Sequence, residues 1–88
     1  MTPQNLTEIT MYSGDHCGDC TRSKRLLESL GVNYTVIEVD GNPEALEKVM
    51  DINGGFKSIP VILFPDGTHL TEPSDLRLKT KLEELSII

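Results

Sequence analysis

Two strand-like runs separated by one helix-like run open the chain, and nothing else in the sequence restricts its folding as much. From Leu6 to Tyr12 polar and apolar residues roughly alternate, with Ile9 and Met11 on one face, as in a half-buried strand. From Thr21 the residues Leu26, Leu27 and Leu30 recur at helical spacing, and Gly31 is placed to stop the helix. Val32 to Val39 is β-branched and aromatic, a second strand. A helix between two adjacent strands forms a right-handed parallel unit. The order that follows is then limited to what can be added to that unit.

Asn42-Pro43-Glu44 supplies an N-cap, an N1 proline and an acidic first turn. It opens a helix with Leu46, Val49 and Met50 on one side, ended by Asn53-Gly54-Gly55. Pro60 to Phe64 is a continuous apolar run, consistent with a central strand. Pro65-Asp66-Gly67-Thr68 reads as a hairpin turn, and a short strand reaches Thr71. Ser74 caps a last helix with Leu78, Leu82 and Leu85 on its buried stripe. The expected fold is α/β, ordered βαβαββα: a four-stranded mixed sheet flanked by three helices. Periodicity alone does not fix the edge pairing.

The chain has 88 residues, so residues 1–88 are expected to form a single domain. Eight basic against fourteen acidic residues give a net charge of −6. That disfavours nucleic acid and anionic lipid, which need clustered Lys and Arg. No apolar run reaches the roughly 18 residues of a membrane span, and Met1 to Asn5 lacks the features of a signal peptide. There are two cysteines, fewer than a disulfide-stapled secreted scaffold carries. Two point to chemistry or metal in a reducing compartment, and the expected location is the cytoplasm.

Those cysteines form Cys17-Gly18-Asp19-Cys20, after the first strand and before the first helix. A helix entrance offers free backbone N–H groups and the positive end of the dipole. Both favour a thiolate at Cys17, by about 0.3–1 kcal/mol when exposed, which lowers its pKa from the ordinary thiol range. Cys20, one turn further in, is expected to be buried and less acidic. The pair divides into an exposed attacker and an inner resolver. Asp15 and Asp19 oppose the thiolate, whereas Arg22, Lys24 and Arg25 favour it, so moderate acidification is expected. A zinc half-site or an inert buried pair are the competing readings; zinc wants four ligands, and only His16 and the distant His69 remain. His16 is either a proton donor to Cys17 or a solvated loop residue.

With this motif so placed, the whole chain resembles the glutaredoxin branch of the thioredoxin fold. Within it the mycoredoxins are most similar, small actinobacterial redoxins that work with mycothiol. The resemblance rests on Met11-Tyr12 through Cys20, on Asn53-Gly54-Gly55 with Ile59-Pro60, and on Asp66-Gly67-Thr68 with Leu70 to Ser74. It implies that the Ile59–Pro60 bond is the family's cis-proline position, where the backbone of Ile59 pairs with the bound thiol. The motif departs from the mycoredoxins in holding His16 and Asp19 where an aromatic residue is usual, and the chain has no Trp.

Ordinary glutaredoxins carry Gly-Gly-x-Asp-Asp before the last helix, where backbone amides receive a glutathione carboxylate. Here the segment is Leu70-Thr71-Glu72-Pro73-Ser74-Asp75. Pro73 has no N–H to donate and Glu72 adds a like charge. Glutathione is anionic and mycothiol is an uncharged pseudo-disaccharide, so mycothiol is the expected thiol. Thr68 and Thr71 could offer hydroxyls to it, or could serve the hairpin alone. The implied activity is enzymatic thiol–disulfide exchange at Cys17, with Cys20 as resolver and mycothiolated proteins as substrates. Mycothiol is then a co-substrate, no cofactor or metal is bound, an external NADPH-dependent reductase recycles the system, and the chain works as a monomer. The alternatives are a dithiol electron donor fed by thioredoxin reductase, as in redoxins that serve ribonucleotide reductase, and a metal or iron–sulfur carrier.

Overall fold

The structure, a computed structural model, describes residues 8–88. Seven elements follow in the order β1 (Ile9–Ser13), α1 (Gly18–Ser29), β2 (Tyr34–Glu38), α2 (Pro43–Ile52), β3 (Val61–Leu63), β4 (His69–Thr71) and α3 (Asp75–Glu84). The expected order is reproduced, although Leu6 and Thr7 lie outside the described residues. The four strands form one sheet, ordered β2-β1-β3-β4. β1 pairs parallel with β2, from Ile9 with Tyr34 to Ser13 with Glu38. It pairs antiparallel with β3, Thr10 opposite Leu63 and Tyr12 opposite Val61. β3 and β4 close the hairpin, with Val61 opposite Thr71 and Leu63 opposite His69.

Both faces of the sheet are covered, which explains why the central strands carry apolar residues at successive positions. On one face Ile9, Met11, Ile62 and Phe64 pack with Leu27 of α1 and with Leu78 and Leu82 of α3. On the other, Tyr12 and Val61 pack with Ala45 and Val49 of α2. The alternation of Met11 with Tyr12 and of Val61 with Ile62 is the period of two that sends neighbours to opposite faces. In α2 the buried positions are Ala45 and Val49, while Leu46 and Met50 are half-buried. Of the expected stripe, Val49 is buried as read, and the small Ala45 takes the second contact position in place of Leu46 and Met50.

The helix ends follow their local chemistry. Asn42 Oδ1 accepts from the Ala45 N–H at 3.2 Å, and Ser74 Oγ accepts from the Arg77 N–H at 3.1 Å. Gly31 adopts φ 70°. There its N–H reaches Glu28 O while Val32 N–H reaches Leu27 O, which turns the chain out of α1 into β2. The start of α1 differs from expectation: it begins at Gly18, three residues before Thr21, because Cys17 itself is the N-cap. No helix among the described residues is long and apolar enough to cross a membrane.

Candidate active site

β1 delivers the chain to one end of the sheet, where Gly14, Asp15 and His16 form a short loop into α1. The loop is held by a hydrogen bond from the Asp15 N–H to Asp40 Oδ2. A Cβ on Gly14 would lie 2.7 Å from Ile59 Cδ1, so glycine lets the Ile59 side chain pack against the exit of β1. His16 has φ 57°, left-handed backbone that a non-glycine residue adopts only where its surroundings hold it there. Its side chain is exposed.

Cys17 then caps the helix with sulfur. Its Sγ accepts the Cys20 N–H at 3.1 Å, and its carbonyl accepts the first helical N–H, from Thr21, at 3.1 Å. Cys17 and Cys20 are joined as a disulfide, with Cα atoms 5.2 Å apart. Cys20 is 1% exposed and Cys17 is half-buried, which matches an outer and an inner sulfur. In the reduced state the same N–H stabilises a thiolate at Cys17 over a thiol, because an amide donates more strongly to the charged acceptor.

The second wall comes from the segment before β3. The Ile59–Pro60 bond is cis, and the Ile59 carbonyl oxygen lies 3.9 Å from Cys17 Sγ. The third wall is Glu72-Pro73, joined to the second by a 2.9 Å bond from the Glu72 N–H to Pro60 O. Arg22 ties this wall to α1: Nη1 lies 2.9 Å from Asp19 Oδ1, Nη2 donates to Pro73 O at 3.0 Å, and Nε lies 3.4 Å from Asp75 Oδ1. Lys24 Nζ is 3.7 Å from Glu38 Oε2. Two of the three cations expected to favour the thiolate are therefore engaged with carboxylates. Nothing in sequence spacing signals the Arg22 bridge, whose partner Pro73 is 51 residues away.

The structure brings Cys17, Cys20, Ile59 and Pro60 together, with Thr71 at the same end of the sheet, opposite Val61. Thr71 Oγ1 donates to Asn53 Oδ1 at 2.7 Å. Thr68 is not brought to the cysteines: β3 runs away from them, and Thr68 sits in the turn beyond Leu63. There its N–H and Oγ1 both donate to Asp66 Oδ1. Those two bonds, with Lys81 3.6 Å from the carboxylate, hold the Asp66 carboxyl below its ordinary range. His69 is also at the far end, opposite Leu63, so it cannot join the cysteines around a metal. Among the described residues, the grouping of three metal-capable side chains is Asp15, Glu38 and Asp40, all exposed and without a cysteine.

A half-exposed sulfur capped by an amide, with a buried partner sulfur one turn away, is built for thiol–disulfide exchange. The glutaredoxin family model matches residues 9–70, from the start of β1 into β4. The chain belongs to the glutaredoxin family. This glutaredoxin is 35% identical over 82 residues to Mycoredoxin 1 of Corynebacterium glutamicum, covering 92% of this chain and all of that protein. In structure it is similar to the glutaredoxin of Archaeoglobus fulgidus, with a TM-score of 0.72 and 32% identity over 88% of this chain and 87% of the other. It is also similar to the glutaredoxin-like NrdH-redoxin of Escherichia coli, described as having a thioredoxin-like activity profile. There the TM-score is 0.68 and the identity 30%, over 83% of this chain and 93% of that one. The glutaredoxin is accordingly a thiol–disulfide oxidoreductase with a redox-active cysteine pair, of the thioredoxin fold.

Proposed function

We propose that this glutaredoxin reduces mixed disulfides between proteins and mycothiol, with Cys17 as the attacking sulfur. The observation that carries this reading is the lack of backbone donors on the wall beside Pro60. The Glu72 N–H is spent on Pro60 O, Pro73 has no N–H, and the Pro73 carbonyl is taken by Arg22. A glutathione carboxylate would find no free amide at these positions and would meet the Glu72 charge. The exposed carboxylates of Asp15 and Asp40, with the net charge of −6, add to that repulsion. An uncharged sugar thiol meets none of it. Similarity to a mycoredoxin along nearly the whole chain supports the same choice.

The reaction runs as a two-electron exchange. The Cys17 thiolate attacks the mycothiol sulfur of the mixed disulfide, and the client leaves as its own thiolate, reduced. Cys17 now carries mycothiol. A second mycothiol thiolate attacks that sulfur, releasing the mycothiol disulfide and regenerating Cys17. In a side route Cys20 attacks Cys17, expels mycothiol and leaves the Cys17–Cys20 disulfide that the structure holds. Ile59 offers backbone to the incoming thiol. No resident metal, flavin or nucleotide takes part, and an external NADPH-dependent reductase recycles mycothiol. The protein does this as a monomer in the cytoplasm.

A dithiol donor reduced by thioredoxin reductase is the second reading, favoured by the bonded cysteine pair and the similarity to NrdH-redoxin. The experiment supplies oxidised protein with mycothiol and its reductase, or with thioredoxin reductase alone, and follows NADPH consumption. Rapid reduction by the first system only is the expected result. Reduction by thioredoxin reductase alone would replace the mycothiol reading with the dithiol one.

A further inference from the structure

Asn53 is the C-cap of α2, and its side chain forms the centre of a clasp that the exchange chemistry does not account for. Its Nδ2 donates to Ser58 O at 2.9 Å and to Phe56 O at 3.4 Å, while its Oδ1 accepts from Thr71 Oγ1 at 2.7 Å. One amide group therefore holds the loop from Gly54 to Ser58 at two carbonyls and fastens it to the end of β4. Its other backbone anchor is the Gly55 N–H, which donates to Met50 O of α2 at 2.7 Å. Gly54 and Gly55 have φ 69° and 107°, and Phe56 is 70% exposed. The residue that follows Ser58 is Ile59, whose carbonyl stands 3.9 Å from Cys17 Sγ.

We propose that Asn53 is a positioning residue for the exchange reaction, setting where Ile59 stands relative to Cys17 and so where an incoming disulfide docks. This rests on the reading that Cys17 performs the exchange, though not on the identity of the thiol. Attack on a disulfide needs the nucleophile, central sulfur and leaving sulfur aligned, and small displacements of the docking backbone are costly. The nucleophile itself is independent of the clasp, because its stabilising donor is the Cys20 N–H on α1. Loosening the clasp should weaken docking and leave the intrinsic reactivity of Cys17 alone. A residue needed only for folding would not separate the two.

The probe is a short peptide disulfide with a fluorophore on one half and a quencher on the other, mixed in excess with pre-reduced protein. The single-turnover rate against peptide concentration gives a half-saturation concentration and a limiting rate. Alkylation of reduced Cys17 by iodoacetamide across pH reports the nucleophile. Asn53→Ala should raise half-saturation about tenfold, the loss of the donor to two carbonyls. The limiting rate should fall as well, because attack needs the three sulfurs aligned, while the alkylation profile should stay near wild type. Asn53→Asp keeps the acceptor for Thr71 but turns a negative oxygen toward the Ser58 and Phe56 carbonyls, so it should be at least as damaging. Thr71→Val should have a smaller effect in the same direction. It should add nothing to Asn53→Ala, because Thr71 acts through Asn53.

Half-saturation within twofold of wild type in Asn53→Asp, or an alkylation profile that changes in step with docking, would overturn the proposal. A double variant markedly worse than Asn53→Ala would do so too, by showing that Thr71 meets the substrate directly. If Asn53→Ala does not fold, Asn53→Asp and Thr71→Val decide by the same criteria. Wild-type protein that fails to cleave the peptide would instead overturn exchange at Cys17, and the role of the clasp with it.

Discussion

Replacing Cys20 by Ser separates the two proposed routes, and the structure says what else the change does. The donor that stabilises the Cys17 thiolate is the backbone N–H of residue 20, 3.1 Å from Cys17 Sγ, and Ser retains it. The nucleophile therefore survives. The cost falls on stability: position 20 is 1% exposed, and the hydroxyls of Ser13 and Ser23 are already buried without a partner. A third buried hydroxyl without a partner costs about 1–3 kcal/mol. For a chain of this size each kcal/mol lowers Tm by about 4–8 °C, so reduced Cys20→Ser should melt measurably below reduced wild type and still be folded at assay temperature. In a coupled assay with mycothiol, its reductase and NADPH, the variant should keep most of the wild-type rate on a mycothiolated peptide. It could exceed wild type, since the intramolecular disulfide no longer diverts Cys17. Loss of turnover in folded variant, with a covalent client adduct on a non-reducing gel, would refute the one-cysteine route and leave the dithiol donor.

Arg22→Ala should cost about 1–2 kcal/mol in urea denaturation, since it removes a charged donor from Pro73 O and two half-exposed ion pairs. Added salt should erase the ion-pair share and leave the Pro73 share; a loss that vanishes entirely in salt would show that the carbonyl bond contributes nothing. Tyr34 has its pKa pushed up to about 12 by burial and by donating to Glu28 Oε2 at 2.7 Å. Above pH 10 the unfolded chain loses this proton while the folded one keeps it, so stability should fall from pH 10 to 12. Tyr34→Phe should flatten that limb relative to wild type, which denaturation midpoints across the range will check. His16→Gly relieves left-handed backbone but adds freedom to the unfolded chain, so stability should change by less than about 1 kcal/mol. Exchange activity should be unchanged, and a large fall would identify His16 as a proton donor.

Most of the architecture was legible because each element carried its own local signal. Asn42-Pro43, Gly31 and Ser74 mark helix ends through backbone donors and φ, which are properties of a few consecutive residues. The start of α1 was displaced because sulfur is a weak acceptor, and Cys17 does not advertise itself as a cap in the way that Ser or Asp does. The site was legible where it is contiguous, at Cys17 to Cys20, and where a resemblance carried it, at Ile59-Pro60. It was opaque where side chains reach across the fold. Asn53 reads as a helix stop, yet its partner Thr71 is 18 residues on, and Arg22 reaches Pro73. Thr68 and Thr71 look equivalent in sequence. Only the direction of β3 against β1 separates them, leaving Thr71 at the cysteine end and Thr68 beyond the opposite end.

These long-range bonds also bear on selectivity. The walls around Cys17 satisfy one another: Asp15 N–H with Asp40, Glu72 N–H with Pro60, Arg22 with Pro73, and Asn53 with Ser58, Phe56 and Thr71. A wall whose donors are consumed internally holds its shape without a ligand, and it has few donors left for an anion. On the proposed reading, recognition would then fall to contacts that do not need a negative ligand: the sulfur itself, the Ile59 backbone and neutral polar groups. Charge works in the same direction, because Asp15 and Asp40 stay exposed while Arg22 and Lys24 are paired. On the proposed reading, discrimination against an anionic thiol would come from the spent donors of the Glu72-Pro73 wall and from the exposed Asp15 and Asp40 carboxylates. On the same reading, affinity for an uncharged thiol would depend on how accurately the Ile59 segment is held, which would make the clasp at Asn53 and a thiol preference at Cys17 two consequences of one arrangement.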